Sequence, residues 1–195
     1  MVASDRRTTG IQVEDESIEQ RSASAMRENF GTKEHINITS YNRQVLITGE
    51  VSSDLVRTQA EQLVGRVQNV RTVVNELVVG PVSSTSDRAS DVLLVAKVKA
   101  SMVDTEDVFA NVFKVVGERG TVYLMGRVTQ AEAKRATDVV RGVNGVKRVV
   151  RVFEYITEDE LRALQPKRSD DAARSGSTSN VPLNTPAQPV VTPIK

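Results

Sequence analysis

Apolar and polar residues alternate in two neighbouring stretches of the chain, as they do in strands that bury one face of a sheet. Ile36 and Ile38 mark the first stretch, and Val45 and Ile47 mark the second, on either side of a turn at 41–43. The pattern predicts a hairpin whose sheet has one buried face. Further strands are predicted over 70–79, 112–117, 121–128 and 146–156.

Apolar residues at helical spacing predict four helices among these strands. Ile18 and Met26 lie on one face of a weakly amphipathic first helix. Ser and Thr are typical of helix starts, because their hydroxyls accept hydrogen bonds from the free amides there. The other helices are predicted from Ser53 to about Gly65, over 89–102, and after Thr129, where Glu132 occupies the capping-box position.

The middle of the chain contains an internal sequence repeat of two copies. The segment 45–51 returns 77 residues later at 122–128, and the segment 67–73 returns 76 residues later at 143–149. Such self-similarity is the signature of a repeated structural unit. Each copy has the order helix, strand, strand, helix, strand, so the predicted fold class is α+β with two tandem αββαβ units.

The repeat also predicts the organisation of the chain. We expect a flexible lead-in over 1–14, a first domain over 15–80, a linker over 81–88 and a second domain over 89–157. The polar segment 158–195 is predicted to form a short helix at 158–164 followed by a disordered tail. Units of about 65 residues are marginally stable alone, so packing of the two copies on each other is expected.

Composition narrows the possible functions. The net charge of +1 excludes a strong field around the whole chain, and no apolar run approaches the roughly 18 residues of a membrane span. The absence of Cys and the presence of one His remove most metal sites and catalytic triads. His35 is interpreted as a surface or edge histidine. We therefore expect a protein that is not an enzyme and that holds no cofactor or metal.

Several local features of the repeat occur together in both copies. A strand ends in Gly49 or Gly126, the helix that follows carries Ala60 or Ala136, and three Val residues recur every third position over 67–73 and 143–149. In this combination each copy resembles a BON domain. Over residues 15–156 the chain resembles the dual-BON proteins of the bacterial cell envelope.

The resemblance implies a three-stranded mixed sheet with two helices packed on one face of each domain. It implies a non-enzymatic protein of the periplasm, at the inner face of the outer membrane, that supports the integrity of that membrane. The implied partner is an anionic phospholipid surface, with phosphatidylglycerol as the expected headgroup, bound through the first helix of the second domain. A lipid anchor is also implied, although this chain contains neither the anchor Cys nor a signal peptide.

The repeat provides its own control for this helix. Val92, Leu93 and Val95 stand where the first copy places residues 16, 17 and 19, which are Glu, Ser and Glu. A helix that is apolar nearly all round must be covered by something besides its own domain. The predicted lipid-binding residues are Val92, Leu93, Val95, Ala96, Lys97, Lys99, Ala100, Val103, Val108 and Phe109. Phe109 is also open to a second interpretation, as a plug at the edge of the core.

Charge favours the same domain. Residues 14–79 hold 7 Lys and Arg against 10 Asp and Glu, a net charge of −3, whereas residues 91–156 hold 11 against 8, a net charge of +3. Basic residues near an apolar surface favour anionic lipid.

Two alternatives remain open. The same helix can contact another protein, as an adaptor in the envelope stress response, or can pack against the first domain. A nucleic-acid partner is not expected, because the Gly-x-x-Gly segment 117–120 lies between two strands and is typical of a hairpin turn. The basic residues also lack the interleaved aromatic residues of a base-stacking surface.

Overall fold

A computed structural model describes residues 5–164 of the protein. The predicted disordered tail over 165–195 lies outside the described residues. Within residues 5–164 the two αββαβ units are present in the expected order, so the prediction of an α+β fold with two tandem units is confirmed.

The first unit places two helices on a mixed sheet. Strand β2 lies at its centre, antiparallel to β1 and parallel to β3 and β4. The elements are α1 (Thr9–Phe30), β1 (His35–Tyr41), β2 (Gln44–Val51), α2 (Asp54–Gly65), β3 (Thr72–Asn75) and β4 (Val78–Val79). The closing strand predicted over 70–79 is therefore interrupted, because the Asn75 side chain accepts the Leu77 amide and Leu77 turns into the core.

The second unit repeats this arrangement with an unbroken closing strand. Strand β6 lies at the centre, antiparallel to β5 and parallel to β7. The elements are α3 (Thr85–Asp104), a 3₁₀ turn (Ala110–Val112), β5 (Lys114–Glu118), β6 (Thr121–Val128), α4 (Gln130–Arg141), β7 (Arg148–Tyr155) and α5 (Glu158–Leu164). The predicted short helix at 158–164 is confirmed, whereas Val112 lies in the 3₁₀ turn and not in the predicted strand.

Both hairpins close through two-residue turns with positive φ at both positions. The turn residues are Asn42 and Arg43 in the first unit, and Arg119 and Gly120 in the second. Two left-handed residues match the right-handed twist of the flanking strands. The prediction that the Gly-x-x-Gly segment forms a hairpin turn is confirmed.

A buried aspartate fastens each hairpin to the first helix of its unit. Asp15 in α1 accepts hydrogen bonds from the amides of residues 42 and 43 at 2.8 and 2.7 Å. Asp91 in α3 accepts from the amides of residues 119 and 120 at 2.7 and 2.9 Å. Each carboxylate satisfies two turn amides, and charge-assisted bonds of this kind are stronger than neutral ones.

Alternation along the central strands divides their side chains between two cores. Val45 and Ile47 face the helices of the first unit, and Val122 and Leu124 face those of the second. The intervening residues point the other way, because successive side chains of a strand lie on opposite faces. The central strand of each unit is therefore buried on both sides.

A further core, shared by the two units, lies between their sheets. It contains Tyr41, Leu46, Tyr123, Met125 and Val152, all at most 4% exposed. The expectation that the two copies pack on each other is confirmed. The prediction of one buried face per sheet is wrong, because the uninterrupted apolar runs at 45–47 and 122–125 supply apolar residues to both faces.

Ion pairs and hydrogen bonds surround this shared core and join the two units. Lys114 Nζ lies 2.7 Å from Glu19 Oε1, and Arg148 pairs with Glu76. Arg6 enters from the N-terminal segment and forms two hydrogen bonds with Glu132, of 2.6 and 2.8 Å. The side chains of Arg6 and Glu132 are only 7% and 8% exposed, so this pair is nearly dry.

The prediction of a flexible lead-in over 1–14 is wrong for residues 5–14. Helix α1 already begins at Thr9, with the Thr8 hydroxyl accepting the Ile11 amide. Arg7 pairs with Asp15 at 2.7 Å and lies over the ring of Tyr41. The contact of Arg7 with Tyr41 and that of Arg6 with Glu132 are long-range, and the polar sequence of the segment gives no local sign of them.

The predicted linker over 81–88 is also too long. Helix α3 begins at Thr85, because Ser84 and Asp87 form a capping box with both reciprocal hydrogen bonds. The helix starts four residues before the predicted position at 89. Its first turn therefore belongs to the second unit.

The buried pair between Arg6 and Glu132 generates a prediction about stability. Burial raises the pKa of the Glu132 carboxyl, but hydrogen bonds from Arg6 and the Thr129 amide outweigh it and hold the pKa below its ordinary value of 4.5. We expect Glu132→Gln, which keeps the capping geometry, to lower the free energy of unfolding at pH 7 by about 2 kcal/mol. Urea unfolding monitored by circular dichroism measures this difference.

The difference has a defined pH dependence. A carboxyl whose pKa is lowered by folding stabilises the folded state above its unfolded pKa, and this contribution is lost as the pH falls through the folded pKa. The wild-type protein and Glu132→Gln should therefore converge in stability below pH 4.5. Asp138→Asn, which breaks an exposed pair with Lys134, is the control and should change little at either pH. Equal effects of the two substitutions would contradict the prediction.

Candidate functional site

Helix α3 presents two apolar faces, of which its own domain covers one. Leu94, Val98 and Met102 are at most 6% exposed and pack into the core of the second unit. They recur at the spacing of one helical face. The hydrophobic contacts of this face account for the docking of α3 on its sheet.

The opposite face of α3 is apolar and open to solvent. Val92, Leu93 and Val103 are 69%, 64% and 69% exposed, and the small side chains of Ala96 and Ala100 lie between them. Helix α3 carries more exposed large hydrophobic side chains than any other helix or strand of residues 5–164. We call residues 92, 93, 96, 100 and 103 the α3 stripe.

The stripe is not covered by the first unit. The two units meet through their sheets and the surrounding ion pairs, so Val92 and Leu93 remain free. The alternative in which these residues pack against the first domain is therefore wrong. The packing of one sheet on the other already stabilises the two small units.

Two lysines border the stripe. Lys97 and Lys99 are both exposed. At 3.6 residues per turn they fall on opposite sides of the line from Val92 to Val103. A basic border of this kind lets the ammonium groups reach outward while the aliphatic stems cover apolar surface.

The remaining predicted residues differ in accessibility. Val95 is half-buried and packs closely over Gly117, where an added Cβ would lie 2.7 Å from the valine Cγ2. Val108 is 9% exposed and belongs to the core, so the prediction that it contacts lipid is corrected. Phe109 is 38% exposed, beyond the C-terminal end of α3. At the 3₁₀ turn that follows, Val108 points inward, whereas Phe109, the residue before the turn, stays partly exposed.

A basic cleft adjoins the N-terminal half of α3, and sequence reasoning missed it. Its volume is about 630 Å³, and its lining contains three cations, Lys97, Arg119 and Lys147, against two carboxylates, Asp87 and Asp91. Both carboxylates already accept hydrogen bonds, from Ser84 and from the turn amides of residues 119 and 120. Arg119 lies in the β5–β6 turn, and the amide of Lys147 donates to the carbonyl of Gly120 at 2.8 Å. Residues from three distant segments meet here, so only the fold places these cations together.

The corresponding helix of the first unit has a different outer face. Glu16 is exposed, and Glu19 is engaged with Lys114 and with the amide of Ser40. The difference between the two copies predicted from the sequence therefore corresponds to a structural difference. Only α3 combines an apolar outer face with flanking lysines.

Within residues 5–164, no helix has both the length and the apolar character needed to cross a bilayer.

Comparisons with known proteins agree with the duplicated architecture. A family model described as BON domain matches the chain at residues 14–81 and again at 90–157. The chain is 38% identical over 157 residues to the outer membrane lipoprotein DolP of Haemophilus influenzae, covering 80% of this chain and 81% of the relative. It is 30% identical over 154 residues to the 21 kDa hemolysin of Actinobacillus pleuropneumoniae, covering 78% of this chain and 79% of the relative.

A solved structure of CdsD, a structural protein of the type III secretion system of Chlamydia trachomatis, has a TM-score of 0.31 and 11% identity to this chain. It covers 78% of this chain and 99% of its own length. This likeness is too low to inform the fold or the function.

The exposure of the stripe generates a prediction about stability. We expect Leu93→Gln and Val103→Gln to change the free energy of unfolding by less than about 0.5 kcal/mol each, because neither side chain is packed and Gln is a good helix former. Val98→Gln buries an unpaired amide in the core and should cost about 3 kcal/mol or more. Urea unfolding of the three variants measures the contrast. A loss at Leu93 comparable to that at Val98 would show that the stripe is covered in the folded protein.

Proposed function

The chain belongs to the BON domain family, of which it carries two copies, and we propose that it is a non-enzymatic outer-membrane-associated protein that binds anionic phospholipid through α3. The site is in the second domain, on the α3 stripe and its lysine border. Binding there supports the integrity of the outer membrane.

The similarity to DolP supports the location. That relative is an outer membrane lipoprotein by name, and the match covers most of both chains. We place this protein at the periplasmic side of the outer membrane, held there by a lipid anchor. The second relative is named a hemolysin, which is consistent with a family whose members meet membranes.

The exposed apolar stripe is the observation that carries the proposal. Val92, Leu93 and Val103 are each about two-thirds exposed in the folded protein. Burial of such side chains contributes about 1 kcal/mol or more each, which gives a weak and reversible contact. A lipid anchor supplies a second signal, and two signals together hold a protein at a membrane persistently.

Charge supports an anionic partner over a neutral one. The ammonium groups of Lys97 and Lys99 border the stripe, and the cleft beside it adds Arg119 and Lys147. The phosphate of a phosphatidylglycerol headgroup fits the chemistry of this cleft, since Lys and Arg both donate to phosphate oxygens.

The acidic end of α3 limits the orientation of the contact. Asp104, Glu106 and Asp107 are exposed beyond the stripe and are repelled by an anionic surface. The contact is therefore centred on residues 92–100. Val103 and Phe109 lie at its margin.

A chemical-shift titration tests the proposal on the intact protein. Micelles containing phosphatidylglycerol should shift the backbone amides of residues 92–103 selectively, and phosphatidylcholine micelles should shift them much less. If these amides do not move while the protein remains folded, lipid binding is excluded. A partner protein then becomes the remaining candidate for the stripe.

Two leucines of nearly equal exposure provide a matched pair of variants. Leu93 in α3 is 64% exposed and Leu55 in α2 is 66% exposed. We expect Leu93→Gln to weaken binding to phosphatidylglycerol vesicles about fivefold, because one aliphatic side chain no longer enters the interface. Leu55→Gln should leave binding unchanged. Vesicle co-sedimentation over a range of lipid concentrations measures both, and equal weakening by the two would contradict the proposed surface.

The lysines predict a salt dependence. Lys97→Gln with Lys99→Gln should weaken binding to anionic vesicles by about tenfold or more at low salt. The difference from the wild-type protein should shrink in high salt, because screening removes the attraction in both. Co-sedimentation at two ionic strengths measures the effect. A double variant that binds like the wild-type protein at low salt would remove the electrostatic part of the proposal.

A further inference from the structure

A second cluster of polar side chains lies between the two domains, apart from the α3 stripe. His35 begins β1, Glu50 lies near the end of β2, and Glu118 ends β5 of the second domain. His35 and Glu50 are register partners in the first sheet. One nitrogen and two carboxylate oxygens of the three residues lie within 4.8 Å of one another.

The cluster is largely shielded from solvent. The side chain of Glu50 is fully buried, and those of Glu118 and His35 are 8% and 15% exposed. His35 is therefore the edge histidine of the two predicted alternatives, since it begins the edge strand β1, and not an exposed surface residue. Sequence reasoning expected no metal because the chain has no second His or Cys, and it did not consider carboxylates from distant strands.

Glu50 carries more hydrogen-bonding capacity than its surroundings use. Its Oε2 accepts from His35 Nδ1 at 2.9 Å and from the amide and hydroxyl of Ser83, both at 3.1 Å. Its Oε1 is buried and accepts no hydrogen bond from the described residues. The guanidinium of Arg119 is 3.5 Å away, but that side chain is 44% exposed. A buried carboxylate oxygen without a donor is costly, so it marks a place for a missing partner.

The buried part of the cluster also carries an excess of negative charge, which favours a cation as the missing partner. Two carboxylates face a histidine and one partly solvated arginine. Buried charges in proteins are normally paired or bound to a metal.

We propose that His35, Glu50 and Glu118 form a binding site for a zinc ion that links the first domain to the second. Zinc is bound in proteins by His nitrogen and by Asp and Glu oxygen, and three protein ligands can leave a fourth position for water. Tetrahedral bonds of about 2.0–2.2 Å place ligand atoms about 3.3–3.6 Å apart. The observed separations from His35 Nδ1 are 2.9 Å to Glu50 Oε2 and 4.0 Å to Glu118 Oε1, one below and one above that range. One ligand atom from each of the three residues lies within 4.8 Å of the others.

Zinc fits this site better than magnesium or calcium. Both of those ions prefer oxygen ligands only, and magnesium also requires six ligands in octahedral geometry. Imidazole nitrogen suits zinc and other transition metals, whereas magnesium and calcium are bound by oxygen. The ion has a route from solvent, because a cavity of about 310 Å³ is lined by His35, Glu118 and the Val92 turn of α3.

Asn37 is placed to orient two of the ligands. Its amide nitrogen lies 2.9 Å from Glu118 Oε2 and 3.3 Å from His35 Nε2. With His35 protonated on Nδ1, the ring donates to Glu50. Zinc takes the place of that proton, so the neutral ring then carries its proton on Nε2. Outer partners of metal-bound histidines commonly accept from the free ring N–H. The Asn37 amide does so after a rotation that exchanges its hydrogen bond to Glu118 Oε2 for one to His35, so it orients one of the two ligands at a time.

The single histidine makes the site directly observable. His35 is the only histidine of the 195 residues, so the imidazole nitrogens of the untagged full-length protein give one set of NMR signals. After treatment with a chelator, addition of one equivalent of Zn²⁺ should shift the Nδ1 resonance to the metal-bound range and saturate. Isothermal titration calorimetry should give one ion per chain. An Nδ1 signal that does not move in excess Zn²⁺ would overturn the proposal without recourse to any variant.

Variants and other ions test the composition of the site. Glu118→Gln removes one ligand charge and should weaken Zn²⁺ binding at least tenfold, whereas Glu106→Gln, an exposed acidic residue of the same domain, should not affect it. Amide NMR spectra establish that both variants are folded. If Glu118→Gln binds Zn²⁺ as tightly as the parent, or if Mg²⁺ competes at equal concentration, the proposal is wrong.

Discussion

The packing of one sheet on the other is the contact on which the rest of the structure depends. Each domain alone has a thin core between two helices and a short sheet, and units of that size bury too little apolar surface to be secure. Leu46, Tyr123 and Met125 resolve this by filling the space between the sheets. The helices are thereby left on the outside of the molecule, and α3 exposes its apolar stripe to solvent.

The sheet contact also explains which parts of the structure could be predicted from the sequence. The repeat and its hydrophobic periodicities were sufficient to predict the order of the helices and strands, because local hydrogen bonding and burial determine which segments form each. The apolar runs at 45–47 and 122–125 already contained the shared core, although alternation alone suggested one buried face. Residues 5–14 were misjudged because Arg6 and Arg7 are ordered by partners far away in the sequence, Glu132 and the ring of Tyr41.

The candidate sites differ in the same way: one could be predicted from local sequence, and the others depend on long-range contacts. The α3 stripe could be found by comparing one copy with the other, since a change from Glu16 to Val92 is visible in the sequence itself. Val108 could not be separated from Phe109 in this way, because a single 3₁₀ turn decides which of the two enters the core. The basic cleft and the cluster at His35 each draw on three separate segments, so only the tertiary structure brings their members together.

The different roles of Glu19 and Val95 have a consequence for how the two halves diverged. Glu19 in the first copy forms an ion pair with Lys114 of the other half, whereas Val95 in the second copy leans on Gly117 of its own half. Two identical subunits related by a twofold axis would have to use each helix in the same way. A duplicated gene in a single reading frame removes that symmetry requirement. Helix α1 could then keep the contact between the two halves while α3 accumulated substitutions on its outer face. The two equivalent helices of one polypeptide could in this way come to differ in role.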